Sequence, residues 1–166
     1  MHLHTHSEYS LLDGANRIDD LVRRSLELEM PALALTDHGC MFGAWNFQQL
    51  AHKNNLKPIL GMEAYVAPGD RRVRTARGAN ANGTTERERE RNYFHLVVLA
   101  RDATGLRNLV HLTSIGYLEG FHYRPRIDRE VLQKYSEGLI ISSACMAGEV
   151  ATHLLNDNWA GAREAA

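Results

Sequence analysis

The sequence is poor in the residues that staple or stiffen a chain: among 166 residues there are two cysteines, four prolines and only 7% aromatics. Cys40 and Cys145 stand far apart with no CxxC pairing, which excludes a disulfide-dense secreted scaffold and suits a reducing cytoplasm. No apolar run approaches the roughly 18 residues of a membrane span, and no basic, apolar, small-residue leader opens the chain. A membrane partner is therefore not expected. Charge of one sign is also missing. With 19 basic against 20 acidic side chains, the net charge of −1 excludes a polycation, so nucleic-acid contact needs a local patch. What is present is a hydrophobic fraction of 44%, enough for a core in a chain that buries about two-thirds of its unfolded surface. The conspicuous excess is histidine: nine, with His2, His4 and His6 in the first six residues.

Apolar periodicity divides the chain into alternating strands and helices. Met1–His6 reads as a short strand and Ser7–Asn16 as a polar turn region. Ile18, Leu21, Val22 and Leu26 then form one helical stripe, with Asn16 as the expected N-cap and Pro31 as the stop. Ala32–Thr36 is a buried strand, Ala44–Lys53 a helix, and Lys57–Val66 another strand. Residues 69–92 hold almost no large apolar side chain but seven arginines against one aspartate and three glutamates. Such a stretch cannot offset its ordering entropy by burial and reads as a flexible Arg/Glu-rich insertion. Beyond it come a strand at Tyr93–Ala100 and a helix starting near Asp102 with Leu106, Leu109, Val110 and Tyr117 on one stripe. A short helix capped by Asp128 follows, then a strand at Gly138–Ser142 and helices over 147–156 and 159–166. Five strands interleaved with helices predict an α/β fold with a largely parallel sheet. A closed α/β barrel takes about 250 residues, so a barrel here would be unfinished.

His4-Thr5-His6 puts two imidazoles on one face of an extended segment, a pair able to grip one metal ion. Alone, an HxH pair is weak evidence. Other ligand types fall beside predicted strand ends: Asp13 in a Leu-Leu-Asp-Gly turn, Asp37-His38-Gly39 after the second strand, Glu63 late in the third, Cys145 after the fifth. Side chains at the C-terminal ends of barrel strands converge on one mouth. Singly, each has an ordinary reading: Asp13 and Asp37 as turn or cap residues, Cys145 as a small buried hydrophobe. His95 precedes the apolar run Leu96–Leu99 of its strand rather than following it, which places it at the opposite rim by the same rule, so spacing leaves its role open.

Eight blocks in fixed order then carry a resemblance: HLHTHSEYS at 2–10, LLDG at 11–14, TDHG at 36–39, KPILGMEAY at 57–65, ATGLRNL at 103–109, YLEGF at 117–121, PRIDR at 125–129 and EGLIIS at 137–142. The chain closely resembles the N-terminal polymerase-and-histidinol-phosphatase (PHP) domain of bacterial DNA polymerase III alpha subunits, and ATGLRNL and YLEGF look particular to the polymerase branch. The resemblance implies a distorted TIM-like barrel, incomplete in this chain. Residues 1–166 would be a partial domain, with the later barrel strands and all polymerase domains absent. It further implies up to three divalent ions, Zn²⁺ first with Mn²⁺ or Mg²⁺ as alternatives, held by His4, His6, Asp13, His38, Glu63, His95 and Cys145. Asp37 is then expected behind these ligands, orienting them. The family's remaining Asp-x-His pair has no counterpart in this sequence.

In the parent protein, the resemblance implies DNA-directed DNA synthesis by later domains. The PHP domain is similar to a metal-dependent 3′→5′ exonuclease or phosphoesterase that uses metal-bound hydroxide and no catalytic side chain. The implied partners are primer-template DNA and other replicase subunits. Arg71, Arg72 and Arg74 are possible DNA contacts, although a charge run with interleaved glutamates also suits a plain solvated loop. Two alternatives stand beside this reading. One is a metal-stabilised structural or interaction module without hydrolytic activity. The other is a small-molecule PHP phosphatase, against which the polymerase-type blocks argue.

Overall fold

The computed structural model describes residues 1–74 and 93–166. Its centre is the long strand at Lys57–Val66, whose last six residues are all buried. In chain order the elements are α1 (Ile18–Glu27), β1 (Ala32–Leu35), α2 (Ala44–Lys53), β2 (Lys57–Val66), β3 (Phe94–Ala100), α3 (Ala103–Leu118), β4 (Phe121–His122), β5 (Arg124–Ile127), α4 (Arg129–Lys134), β6 (Leu139–Ser142), α5 (Glu149–Leu155) and α6 (Trp159–Ala165). The strands connect in the order β4-β5-β2-β3-β6, with β1 also on β2. Among the described residues this sheet is open, with β4 and β6 at its ends.

The expectation of a largely parallel sheet is overturned. Only β1–β2 and β2–β5 are parallel; β2–β3, β3–β6 and β4–β5 are antiparallel. A parallel return needs a packed crossover element. The apolar-poor stretch 69–92 carries no hydrophobic stripe to build one, and β3 comes back alongside β2 in the opposite sense. The fold is mixed α/β. The hairpin β4–β5 was not legible in the sequence, because Pro125 inside a four-residue strand argues against a strand at all. Met1–His6 forms no regular strand either. It runs beside β1 through bonds from Ala34 N to His2 O (3.0 Å) and Thr36 N to Thr5 O (2.9 Å), joined by one isolated bridge between His2 and Leu33.

Alternation along β2 sets the layers. Met62, Ala64 and Val66 turn to one face and pack with Val98, Leu109, Leu112, Ile127 and Val131 from β3, α3, β5 and α4. A second cluster packs α1 and α2 on β1 through Ile18, Val22, Leu33, Leu35, Phe47 and Ala51. Glu63 and Tyr65 project from the opposite face of β2, in register with Val97 and His95 of β3. Burying these side chains removes about 25 cal/mol of unfavourable hydration per Å² of apolar surface. Caps differ from expectation at one end: α1 starts after Arg17 without a side-chain cap, while the Asn16 amide donates to His6 O at 3.1 Å. Asp102 and Asp128 do cap α3 and α4, accepting from Gly105 N and Val131 N.

The Arg/Glu-rich insertion lies outside the described residues from 75 onward. Its first part is anchored. Arg71 is buried and its guanidinium bonds Asp128 Oδ2 at 2.9 Å and the Glu119 carboxylate, while Asp128 also accepts from Arg71 N. Arg126 donates to the carbonyls of Gly120, Arg71 and Val73.

Candidate metal centre

Five chain segments meet at one rim of the sheet: the N-terminal stretch, the ends of β1 and β2, the start of β3 and the turn after β6. The chain leaves β1 through Thr36 and Asp37 to His38, which bridges to Glu63 in parallel register. Here Gly39 turns the chain at φ +60°, and a Cβ on it would sit 2.7 Å from Pro125 Cγ and 2.9 Å from the Tyr65 ring. Only glycine meets both demands. Because β3 runs against β2, its first residues lie at the same rim as the last residues of β2. His95 therefore faces the mouth, not the far side. β6 is antiparallel to β3 and so ends at this rim too; the turn after it bonds back through His95 N to Ala147 O (3.0 Å), which sets Cys145 beside His95.

Glu63 is the hub. It is 1% exposed, and four imidazoles face its carboxylate. Oε2 lies 3.2 Å from His4 Nε2, 3.0 Å from His6 Nε2 and 3.0 Å from His38 Nδ1. Oε1 lies 2.8 Å from His95 Nδ1 and 3.6 Å from Cys145 Sγ. Asp13 reaches over from the turn, with Oδ2 2.9 Å from His38 Nε2. The two tightest donor groups, His4–His6–Glu63 and His38–Glu63–His95, share the one carboxylate. The seven sequence-nominated ligands thus come together in one cluster.

The electrostatics follow from this crowding. Burial pushes the Glu63 carboxyl up, but His4, His6 and His95 outweigh it and hold the group far below the usual carboxylate range. Burial works the other way on His6, yet the Glu63 carboxylate 3.0 Å away, helped by Asp13 and Asp37, leaves its pKa raised. The Cys145 thiol is pushed up by burial and by Glu63. Despite the close nitrogens, Glu63 Oε2, His6 Nδ1 and His38 Nδ1 are buried without a hydrogen-bond partner. Buried polar atoms are seldom left so, and an unpartnered one calls for a physical reason. Imidazole, carboxylate and thiolate donors converging in this way fit a divalent metal ion.

Asp37 plays a different part. It is 1% exposed and turned away from the cluster, accepting from Ser7 N and Ser10 Oγ at Oδ1 (both 2.7 Å) and from Ser7 Oγ at Oδ2 (2.8 Å). Ser10 Oγ in turn accepts from His38 N at 3.1 Å. This network pins the 7–14 turn, and with it Asp13, to the end of β1. Sequence reading missed Ser7 and Ser10; hydroxyls give no periodic signal, although their place between His6 and Asp13 could have suggested a brace. It also missed Tyr65, whose ring stacks on His38 at 5.7 Å and meets His95 edge-on at 5.3 Å. Of the three nominated DNA-contact arginines, Arg71 points inward to its carboxylates, while Arg72 and Arg74 are exposed.

The DNA polymerase III alpha subunit of Borreliella burgdorferi is 44% identical over 163 residues, covering 98% of this chain and 13% of the relative. Those of Treponema pallidum and Thermus aquaticus are 48% and 47% identical, covering 93% and 94% of this chain and 12% of each relative. The chain thus spans about an eighth of the length of these relatives. A solved structure from Bifidobacterium adolescentis, assigned as a metal-dependent phosphoesterase, overlaps 69% of this chain and 33% of its own at 15% identity and a TM-score of 0.40, too loosely to place a residue. With ligand-type side chains from four segments gathered on Glu63, and a PHP domain model matching residues 2–166, the chain belongs to the PHP domain family.

Proposed function

We propose that this chain is the N-terminal part of a replicative DNA polymerase alpha subunit, and that its Glu63 centre hydrolyses phosphodiester bonds at a DNA 3′ end. One observation carries the reading: a buried carboxylate faces four imidazoles, with Glu63 Oε2, His6 Nδ1 and His38 Nδ1 left without hydrogen-bond partners. Up to three divalent ions would sit here, zinc before manganese or magnesium. His4, His6 and Glu63 would hold one and His38, Glu63 and His95 another, with Asp13 and Cys145 at the flanks. When bound, such ions supply Lewis acidity that polarises a phosphoryl group and activates water.

The chain's own residues do the positioning. Glu63 spans both donor groups from the floor of the site. Asp37, through Ser7 and Ser10, fixes the turn that carries Asp13 and orients the backbone of His38. No serine or cysteine nucleophile paired with an imidazole base is needed. The name of the relatives, DNA polymerase III subunit alpha, supports DNA as the substrate and further subunits as partners; the parent protein would act on primer-template DNA in the cytoplasm. Within that parent, the open sheet would be part of a distorted TIM-like barrel, and nucleotidyl transfer would belong to other domains. Arg72 and Arg74 remain the proposed DNA contacts of the insertion's stem.

The test is shortening of a primer with a mismatched 3′ end by the full-length protein. Chelation and His6→Ala are each expected to abolish it. If neither slows the reaction, the reading is wrong. If chelation lowers the melting temperature and no shortening is ever seen, the centre is a structural module.

A further inference from the structure

We infer that Arg124 is a positioning residue that binds a substrate phosphate at the rim of the Glu63 centre, using the Tyr65 ring as its platform. This rests on the phosphodiester reading above and adds the group that recognises the anion. Tyr65 stands between the two: its ring packs against His38 and His95, and the Arg124 guanidinium carbon lies 5.8 Å from its centroid. A guanidinium over an aromatic face is attracted by the ring quadrupole, which fixes a side chain that would otherwise be mobile.

Arg124 is the arginine available for this work. Arg71 is held by Asp128 and Glu119, and Arg126 by backbone carbonyls. Among the described residues no carboxylate lies within ion-pair reach of half-buried Arg124, which is adjacent to Pro125, the residue packed at Gly39 beside His38. A planar guanidinium can meet a phosphate with two parallel hydrogen bonds, a geometry lysine lacks. Tyr93 stands 4.7 Å from Tyr65, edge-on, and stacks on His95 at 5.8 Å. An anion seated on Arg124 thus has an aromatic wall beside it, which suits a nucleotide over an isolated phosphate.

The experiment titrates thymidine 5′-monophosphate and thymidine into the metal-loaded chain by NMR, beside hydrolysis kinetics on a short oligonucleotide. Arg124→Ala is expected to weaken monophosphate binding roughly tenfold or more, since a hydrogen bond to a charged group is lost, and to leave thymidine binding unchanged. The KM for the oligonucleotide is expected to rise by a similar factor, with kcat changed much less and with metal content and melting temperature as in the unmodified chain. Arg124→Lys should recover only part of the loss. Should Arg124→Ala fail to fold, Arg124→Gln is read in its place. Monophosphate affinity unchanged by these substitutions, or absent in the unmodified chain, overturns the proposal. Arg124-dependent binding without any hydrolysis sustains it while refuting the hydrolytic reading, and hydrolysis with an unchanged KM in Arg124→Ala does the reverse.

Discussion

Replacing Arg71 with alanine is expected to cost the fold about 3 kcal/mol, although Arg71 lies far from the histidine cluster in sequence. The Arg71 and Asp128 side chains are 7% and 5% exposed, and Nη1 meets Oδ2 at 2.9 Å. Removing one partner of a buried pair typically costs about 3–5 kcal/mol, because the remaining charge is left uncompensated. Here the lower end applies, since Asp128 keeps the backbone N–H of residue 71 and of Val131. The exposed Glu130 carboxylate, 3.4 Å away, contributes little. For a chain of this size, about 3 kcal/mol corresponds to a melting temperature lower by roughly 6–12 °C. The loss has a defined pH dependence. Burial would raise the Asp128 carboxyl, but the N–H groups of Arg71 and Val131 and the Arg71 guanidinium outweigh it, and its pKa is lowered. A lowered carboxyl contributes stability in full above its unfolded value of about 3.9, and loses it as pH falls through the folded value. The gap between the unmodified chain and Arg71→Ala is therefore widest at neutral pH and closes as acid takes the pH below the unfolded value and through the lowered folded one. Thermal unfolding followed by circular dichroism across that range measures it. Melting temperatures within about 2 °C of each other at pH 7, or a gap that stays constant into acid, would refute the reasoning.

Two further outcomes follow from the same contacts. Asp37→Asn removes the charged acceptor of Ser7 and Ser10 without touching the donor cluster; groups that orient metal ligands typically change affinity by about 10–100-fold, so weaker metal binding with near-native secondary structure is expected by titration calorimetry. Gly39→Ala must place a Cβ against Tyr65 and Pro125 at φ +60°; a destabilisation of more than about 1 kcal/mol is expected by denaturant unfolding, the left-handed backbone alone costing about 1–2.

Much of the architecture was legible because long apolar periods survive in the sequence: α2 and β2 occupy the residues that their patterns mark. What escaped was direction and small structure. Strand-end reasoning assumes parallel strands, and His95 contradicts it only because β3 is antiparallel, so that a strand's beginning reaches the same rim as its neighbour's end. No local pattern encodes that reversal. The two- and four-residue strands β4 and β5 are too short to have a period, and Asn16, a plausible cap by type, is drawn instead to the His6 carbonyl. At the site, titratable residue types were visible as a set, and the family resemblance put them in order. The supports were not: Ser7, Ser10 and Tyr65 act through hydroxyls and ring faces whose partners lie across the fold. Arg71 shows the opposite failure. Read as part of a basic surface tract, it is an internal ion-pair member because Asp128, 57 residues on, caps α4 at the same corner.

Both donor groups of the site depend on Glu63. Elemental analysis of the chain purified with and without added Zn²⁺, alongside Glu63→Ala, tests this most directly. At least one tightly held divalent ion per chain is expected, lost in Glu63→Ala while the circular dichroism spectrum keeps its helical content. A chain that retains no metal, or a Glu63→Ala variant that holds as much as the unmodified chain, would contradict a shared carboxylate at the centre of the site.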